Sequence, residues 1–171
     1  DLFYRHKKRR KHRMLTGLLC SGVSQRRAAR LLNLDKKTVV RKFRLLARDA
    51  QHSFRSRNLL HKKAVSIQFD DLETFEHTKC KPLSVTLAVE SKTRRILALA
   101  VSPMPAKGTL AKKSRTRYGL RKDRRSQGRA QVFSHLKKLV EEDVEIKSDS
   151  NPHYRLDVER FFPLARYTQV L

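Results

Sequence analysis

The sequence has few cysteines and no long apolar run. Its 171 residues contain two cysteines, Cys20 and Cys80, which are too far apart to form a CxxC pair. This spacing argues against a disulfide framework and against a zinc module. No apolar run approaches the roughly 18 residues of a membrane span, and the amino-terminal residues lack the apolar centre of a signal peptide. We therefore expect a cytoplasmic protein that has no membrane partner.

Acidic residues are also scarce. The chain has 16 Asp and Glu against 41 Lys and Arg, a net charge of +25, which favours a polyanionic partner and above all nucleic acid. The excess is concentrated in two segments. Residues 1–63 have 20 basic and 3 acidic side chains, residues 103–131 have 10 and 1, and the remainder is close to neutral. The pattern predicts a near-neutral body with two basic appendages.

Residues 13–60 predict an all-α module that begins with three short helices. The first helix is expected at 13–20, ended by Gly22, and the second at 25–32, with Ser24 as its N-cap. The third is expected at 36–48 after a tight turn, capped by Asp35 and burying its apolar positions, which are Val39, Val40, Phe43 and Leu46.

Two short helices joined by a three-residue turn, the second one basic on its exposed side, are typical of a helix-turn-helix. A generic basic three-helix bundle is the alternative interpretation. We expect a set of third-helix residues to contact bases in the major groove of double-stranded DNA and two second-helix residues to contact phosphates. The third-helix residues are Lys37, Thr38, Arg41 and Lys42, and the second-helix residues are Arg26 and Arg27. Residues 1–12 form a basic arm in this prediction.

Beyond residue 64 the apolar pattern changes to the alternation typical of strands. Three successive strands with short links predict an antiparallel meander. A basic insertion follows at 103–131, which we expect to be a long loop or an excursion that holds DNA by its phosphates. The order then continues with a helix, a fourth strand and a second helix. The expected bounds are 65–69, 83–89 and 95–102 for the three strands, 131–143 for the helix, 144–148 for the fourth strand and 155–165 for the last helix.

Two acidic residues lie where the first and fourth strands are expected to end. A helix that links two strands of one sheet makes them parallel, so Asp70 and Asp149 would lie side by side if these strands are neighbours. Two such carboxylates can bind Mg²⁺ or Mn²⁺, commonly as a pair of ions that assists phosphodiester cleavage. Asp71 remains the alternative to Asp70 at the first position.

This combination resembles a known family. The segment GVSQRRAARLLNLDKKTVVRKF is similar to the DNA-binding region of many transposases, resolvases and bacterial regulators, and IQFDDLETF and KSDSNPHY resemble the segments with the first two catalytic acids of DDE-type insertion-sequence transposases. The resemblance implies an α+β chain: a helix-turn-helix module followed by an α/β ribonuclease H-like core, β-β-β-α-β-α, over residues 64–171. It also implies binding of element ends, metal-dependent cleavage and strand transfer, and assembly as a homo-oligomer on DNA.

The resemblance requires a third acid, a Glu on a later helix. Glu159 is the sole Glu after Asp149, but it comes too early to match, so we expect the third acid beyond Leu171. The chain opens on Asp1 rather than Met, and we interpret it as a fragment that is inactive without that acid. Two other functions stay open: a helix-turn-helix transcription regulator without catalysis, and a nuclease with the same core that does not transpose.

Overall fold

The computed structural model describes residues 10–170, and these form an α+β protein with six helices and one five-stranded mixed sheet. The predicted α+β class is confirmed. The chain divides between Leu60 and His61 into two compact units. Most of the predicted basic arm, residues 1–9, lies outside the described residues. No helix in the described part is both long and apolar enough to cross a membrane.

The amino-terminal unit consists of three helices around a small apolar core. The helices are α1 (Arg10–Cys20), α2 (Gln25–Leu31) and α3 (Lys36–Leu60). The core contains Leu15, Ala28, Ala29, Leu32 and Val39, each at most 6% exposed. Ala28 and Ala29 are small, so α2 can pack closely against the neighbouring helices in this core.

The predicted caps of α2 and α3 are confirmed. The Ser24 hydroxyl accepts a hydrogen bond from the Arg27 amide at 3.3 Å, and Asp35 Oδ1 accepts from the amides of Lys37 and Thr38 at 2.8 and 3.3 Å. Each cap satisfies amides that have no partner inside the helix and stabilises it by about 1 kcal/mol.

The third helix is longer than predicted, and one of its predicted core residues is wrong. It continues to Leu60 because its sequence contains neither Gly nor Pro to end it. Phe43 was predicted to be buried but is 41% exposed, whereas the neighbouring Lys42 is only 9% exposed. The helical phase therefore favours Lys42 at the inner face.

The second unit is built on a sheet with the strand order β3-β2-β1-β4-β5. β2 pairs antiparallel with both β1 and β3, which confirms the meander, and β4 pairs parallel with both β1 and β5. The elements of this unit are β1 (Ala64–Phe75), β2 (Pro82–Glu90), β3 (Ile96–Pro103), α4 (Leu110–Tyr118), α5 (Arg125–Leu136), β4 (Val140–Ser148), α6 (Pro152–Phe161) and β5 (Arg166–Gln169).

One face of the sheet carries the core. Phe69 of β1 contacts Phe133 of α5 and Tyr154 of α6, with ring centroids 5.0 and 4.8 Å apart. Gly128 brings α5 so close to β3 that a Cβ at this position would lie 2.0 Å from Ser102 Oγ. The opposite face carries exposed apolar side chains, including Leu72 at 64% and Val101 at 56%.

Several predicted boundaries in this unit are wrong. The helix expected at 131–143 lies at 125–136. Residues 140–143, the last four of the expected helix, belong to β4. The basic insertion is not a plain loop, because it contains α4 and the first seven residues of α5. The strand β5, four residues long, was not predicted. The extent of a strand depends on its partners in the sheet, which a short run of sequence does not reveal.

Candidate functional site

The parallel pairing of β1 and β4 brings the two predicted acids to the same edge. The register runs through Ile67 opposite Ile146 and Gln68 opposite Lys147. Continued for two residues, it places Asp70 level with Asp149, about one strand spacing of ~4.8 Å away. β1 continues past Asp70 to Phe75, paired with β2 alone, so the expectation that the strand ends at Asp70 is wrong. The pairing of β1 with β4 ends at Gln68, two residues before Asp70.

A tight turn holds Asp149 at the end of β4. Asp149 Oδ1 accepts a hydrogen bond from the Asn151 amide at 3.2 Å, and Asn151 in turn caps α6 by accepting from the His153 amide at 3.1 Å. Pro152 occupies the first turn of that helix, where its missing N–H has no consequence. The sequence SDSNP thus ends a strand and starts a helix while it leaves the Asp149 side chain exposed at the edge.

The two neighbouring acids of β1 point to opposite faces, as residues of a strand must. Asp70 is exposed, and its Oδ1 accepts a hydrogen bond from the Asp71 amide at 2.6 Å. Asp71 faces the helices, with its side chain only 11% exposed. Its Oδ1 accepts a hydrogen bond from the Thr86 hydroxyl.

Asp71 also belongs to a buried ionic network centred on Arg129. The Arg129 side chain, 7% exposed, donates to Asp157 Oδ2 at 2.6 Å and lies 3.5 Å from Asp71 Oδ2. Its guanidinium carbon lies 5.6 Å from the centre of the Tyr154 ring. Two carboxylates share one buried cation, so Asp71 already has a charge partner and Asp70 is the better candidate for a metal.

Tyr154 lies within electrostatic reach of all the acids at this edge. Burial raises the pKa of its hydroxyl well above the ordinary value, and the negative charges of Asp71, Asp149 and Asp70 raise it further. A hydrogen bond to Asp71 acts in the same direction, so the Tyr154 hydroxyl stays protonated.

The described residues were compared with the ligand sets that metal ions require. Between residues 10 and 170, no group of three or more His, Cys, Asp or Glu side chains is arranged to hold a metal ion. Glu159 is exposed on α6, and its Oε1 lies 3.9 Å from Arg155 Nε, one helical turn away. An edge with Asp70 and Asp149 fits part of the oxygen coordination that Mg²⁺ requires, with water or substrate supplying the remainder.

Sequence reasoning missed the network around Arg129. Asp71 was considered only as the alternative to Asp70 and no ion-pair partner was predicted for Asp157, yet both acids contact the same guanidinium. One signal was available: Arg129 lies three, four and seven residues before Val132, Phe133 and Leu136, the buried positions of α5. A charged residue on an apolar stripe is a candidate for a buried ion pair.

The predicted DNA-contacting residues are exposed with two exceptions. Arg26, Arg27, Lys37 and Arg41 are exposed, and Thr38 is half-buried at the start of α3. Lys42 contradicts the expectation that it faces the groove, because it is buried and its Nζ lies 2.5 Å from His12 Nε2 of α1. Burial lowers the pKa of Lys42.

The sequence was compared with protein-family models and with curated proteins. No protein-family model matches the chain, and no curated protein matches its sequence.

Proposed function

We propose that this chain is the DNA-binding and partial catalytic region of a DDE-type DNA transposase. In this proposal the amino-terminal unit is a helix-turn-helix domain that binds element-end double-stranded DNA, and residues 64–171 form a ribonuclease H-like core. The observation that carries the proposal is the parallel pairing of β1 with β4, whose register, if continued for two residues past Gln68 and Lys147, would bring Asp70 level with Asp149. The strand order β3-β2-β1-β4-β5, with three antiparallel strands followed by two parallel ones, supports it.

Asp70 and Asp149 would bind Mg²⁺ or Mn²⁺, as a pair of ions when a third acid completes the site. Such ions activate an oxygen nucleophile and stabilise the leaving oxygen in phosphodiester cleavage. The protein's own contribution is to hold the two carboxylates at one edge. Beneath them Arg129 pairs with both Asp71 and Asp157, so its positive charge offsets part of the negative charge on the inner face.

The test uses a matched set of charge-neutral variants in the full chain. Asp70→Asn and Asp149→Asn should each abolish the rise in melting temperature that Mn²⁺ produces, because an amide is a far weaker ligand for a hard cation. Without metal, each variant should be as stable as the parent or more so, since a repulsive charge is gone. Asp143→Asn is the control, because Asp143 is an exposed acid at the other end of β4.

The same variants test catalysis in a chain extended to include the third acid. Nicking of supercoiled DNA should be lost in Asp70→Asn and Asp149→Asn and retained in Asp143→Asn. An extended Asp149→Asn protein that still nicks DNA would contradict the catalytic assignment. It would favour a transcription regulator without catalysis.

A further inference from the structure

Helix α4 carries four cations that have no acidic partner among the described residues, although the guanidinium carbon of one of them, Arg117, lies 5.9 Å from the centre of the Tyr118 ring. Lys112, Lys113, Arg115 and Arg117 are all exposed, and no acidic oxygen of the described residues lies within 4.0 Å of their charged nitrogens.

Other cations of the same insertion are engaged. Lys107 pairs with Glu73 at 2.9 Å, and Arg125 pairs with Asp123 at 2.6 Å. The side chain of Arg121 lies 3.9 Å from Glu76 and also donates to the carbonyl of Pro82 at 3.3 Å. Of the six basic residues of the insertion that have no acidic partner among the described residues, four lie on α4, and Lys122 and Arg124 follow it.

The helix is attached to the sheet by its uncharged positions. The buried Ser114 hydroxyl donates to the Cys80 carbonyl at 2.7 Å, in the turn that links β1 to β2. The Tyr118 ring contacts His77 edge-on with centroids 6.1 Å apart, and Lys81 Nζ lies 5.0 Å from the ring centre. Ser114 and Tyr118 are four residues apart and share one side of the helix, which leaves the cations on its other sides.

Like charges so close together on a helix repel each other. Lys112 and Arg115 are three residues apart and Lys113 and Arg117 four, spacings at which like charges destabilise a helix. A polyanion laid along the helix would reverse that repulsion. Duplex DNA has the required density of charge, about one phosphate per 1.7 Å of its axis.

We infer that α4 is a second DNA-binding surface, which grips the phosphate backbone of duplex DNA independently of base sequence. The inference rests on the proposed function, because the helix-turn-helix unit would supply the sequence preference. The helix has no Asn or Gln, the side chains that bind adenine edges in pairs of hydrogen bonds. Its position at the β1–β2 turn would add a DNA contact to the same unit that holds Asp70 and Asp149.

The test compares two full-chain variants with the same change of charge. The first replaces Lys112, Lys113, Arg115 and Arg117 with Gln. The control replaces Lys137, Lys138, Arg155 and Arg160 with Gln, which are also two lysines and two arginines and are also exposed. Circular dichroism and melting temperature should show that both variants are folded.

Binding to a random-sequence duplex is then measured over a range of salt concentrations. Each phosphate contact contributes about 0.9 to the slope of log affinity against log salt, so the α4 variant should lose roughly 2 to 4 units of slope. The control should lose less than about one unit. Equal losses in the two variants would overturn the inference, because net charge alone would then explain binding.

Two further measurements separate this inference from its premise. An Arg41→Gln variant tests the helix-turn-helix. If this variant loses specific DNA binding while the α4 variant has no effect, the proposed function stands and the inference about α4 is refuted. Duplex RNA of the same length is the competitor for the choice of partner. If the α4 variant loses RNA binding but not DNA binding, the surface belongs to RNA and the inference is wrong.

Discussion

Two neighbouring residues of α3 have opposite roles although both are basic and both were predicted to contact DNA. Arg41 is exposed, whereas Lys42 is 9% exposed and its Nζ lies 2.5 Å from His12 Nε2. A charged ammonium only donates hydrogen bonds, so His12 Nε2 is the acceptor whenever Lys42 carries its charge. Lys42 is therefore a contact between α3 and α1.

This difference gives a test at single-residue resolution. Arg41→Met should weaken binding to a specific duplex by about 1–3 kcal/mol, the range for the loss of one base contact, and should leave the melting temperature unchanged. Lys42→Met should retain the affinity for DNA, because its side chain lies inside the three-helix unit. Equilibrium binding and thermal melting of both variants provide the measurement. An equal loss of affinity in the two would show that Lys42 reaches the groove.

The burial of Tyr154 predicts how the stability of the protein depends on pH. Its pKa is raised above the ordinary value of 10.0, first by burial and then by Asp71 and Asp149. The unfolded chain loses this proton near pH 10.0 while the folded chain keeps it, so the stability that the raised pKa provides is complete below pH 10.0 and is lost as the pH rises beyond it. In a Tyr154→Phe variant the free energy of unfolding should fall less steeply above pH 10.0 than in the parent. Parallel urea titrations from pH 8 to 11 would measure this, and identical slopes would contradict the burial of an ionisable hydroxyl.

At the scale of elements, the approach of α5 to β3 decides whether Arg129 can reach Asp71. Arg129 directly follows Gly128, and a Cβ at Gly128 would lie 2.0 Å from Ser102 Oγ and 3.3 Å from Ser102 Cβ. A side chain at this position would push the helix away from the sheet. The network at the acidic edge therefore depends on a residue that has no side chain.

Gly128→Ala should destabilise the protein by about 1–3 kcal/mol through overpacking, despite the better helix propensity of alanine. Ser102→Ala removes the closest atom, so the double variant Gly128→Ala/Ser102→Ala should recover part of the loss. The measurement is a double-mutant cycle from urea unfolding. Additive losses would contradict a direct contact, and Gly17→Ala is a control, since a Cβ there meets nothing within 4 Å.

At the scale of the whole molecule, the excess charge and the acidic edge belong to different parts of the chain. The amino-terminal 63 residues and the insertion 103–131 hold 30 of the 41 basic residues but only 4 of the 16 acidic ones. The sheet unit provides the edge with Asp70 and Asp149 from two strands that are about 80 residues apart in sequence and paired in parallel. A polyanion would be attracted over a broad surface, while a cation would be drawn to this one edge.

The sequence by itself determined the α+β class, the caps of α2 and α3, the meander and the two acids at one edge. These features depend on local signals: a Ser or Asp before a helix, alternation of apolar residues in a strand, and the direction that a helical crossover imposes. The sequence also showed the two basic segments, because the net charge of a segment follows directly from counting its residues.

Only the tertiary structure decided which charged side chains are buried. Lys42 lies against His12, 30 positions earlier, and Arg129 joins Asp71 and Asp157, which come from β1 and α6. The helix inside the basic insertion is held by Cys80, 34 positions before Ser114. A buried charge needs a partner that is close to it in the folded protein. Such partners can come from segments that are far away in the sequence, and a local sequence pattern does not identify them.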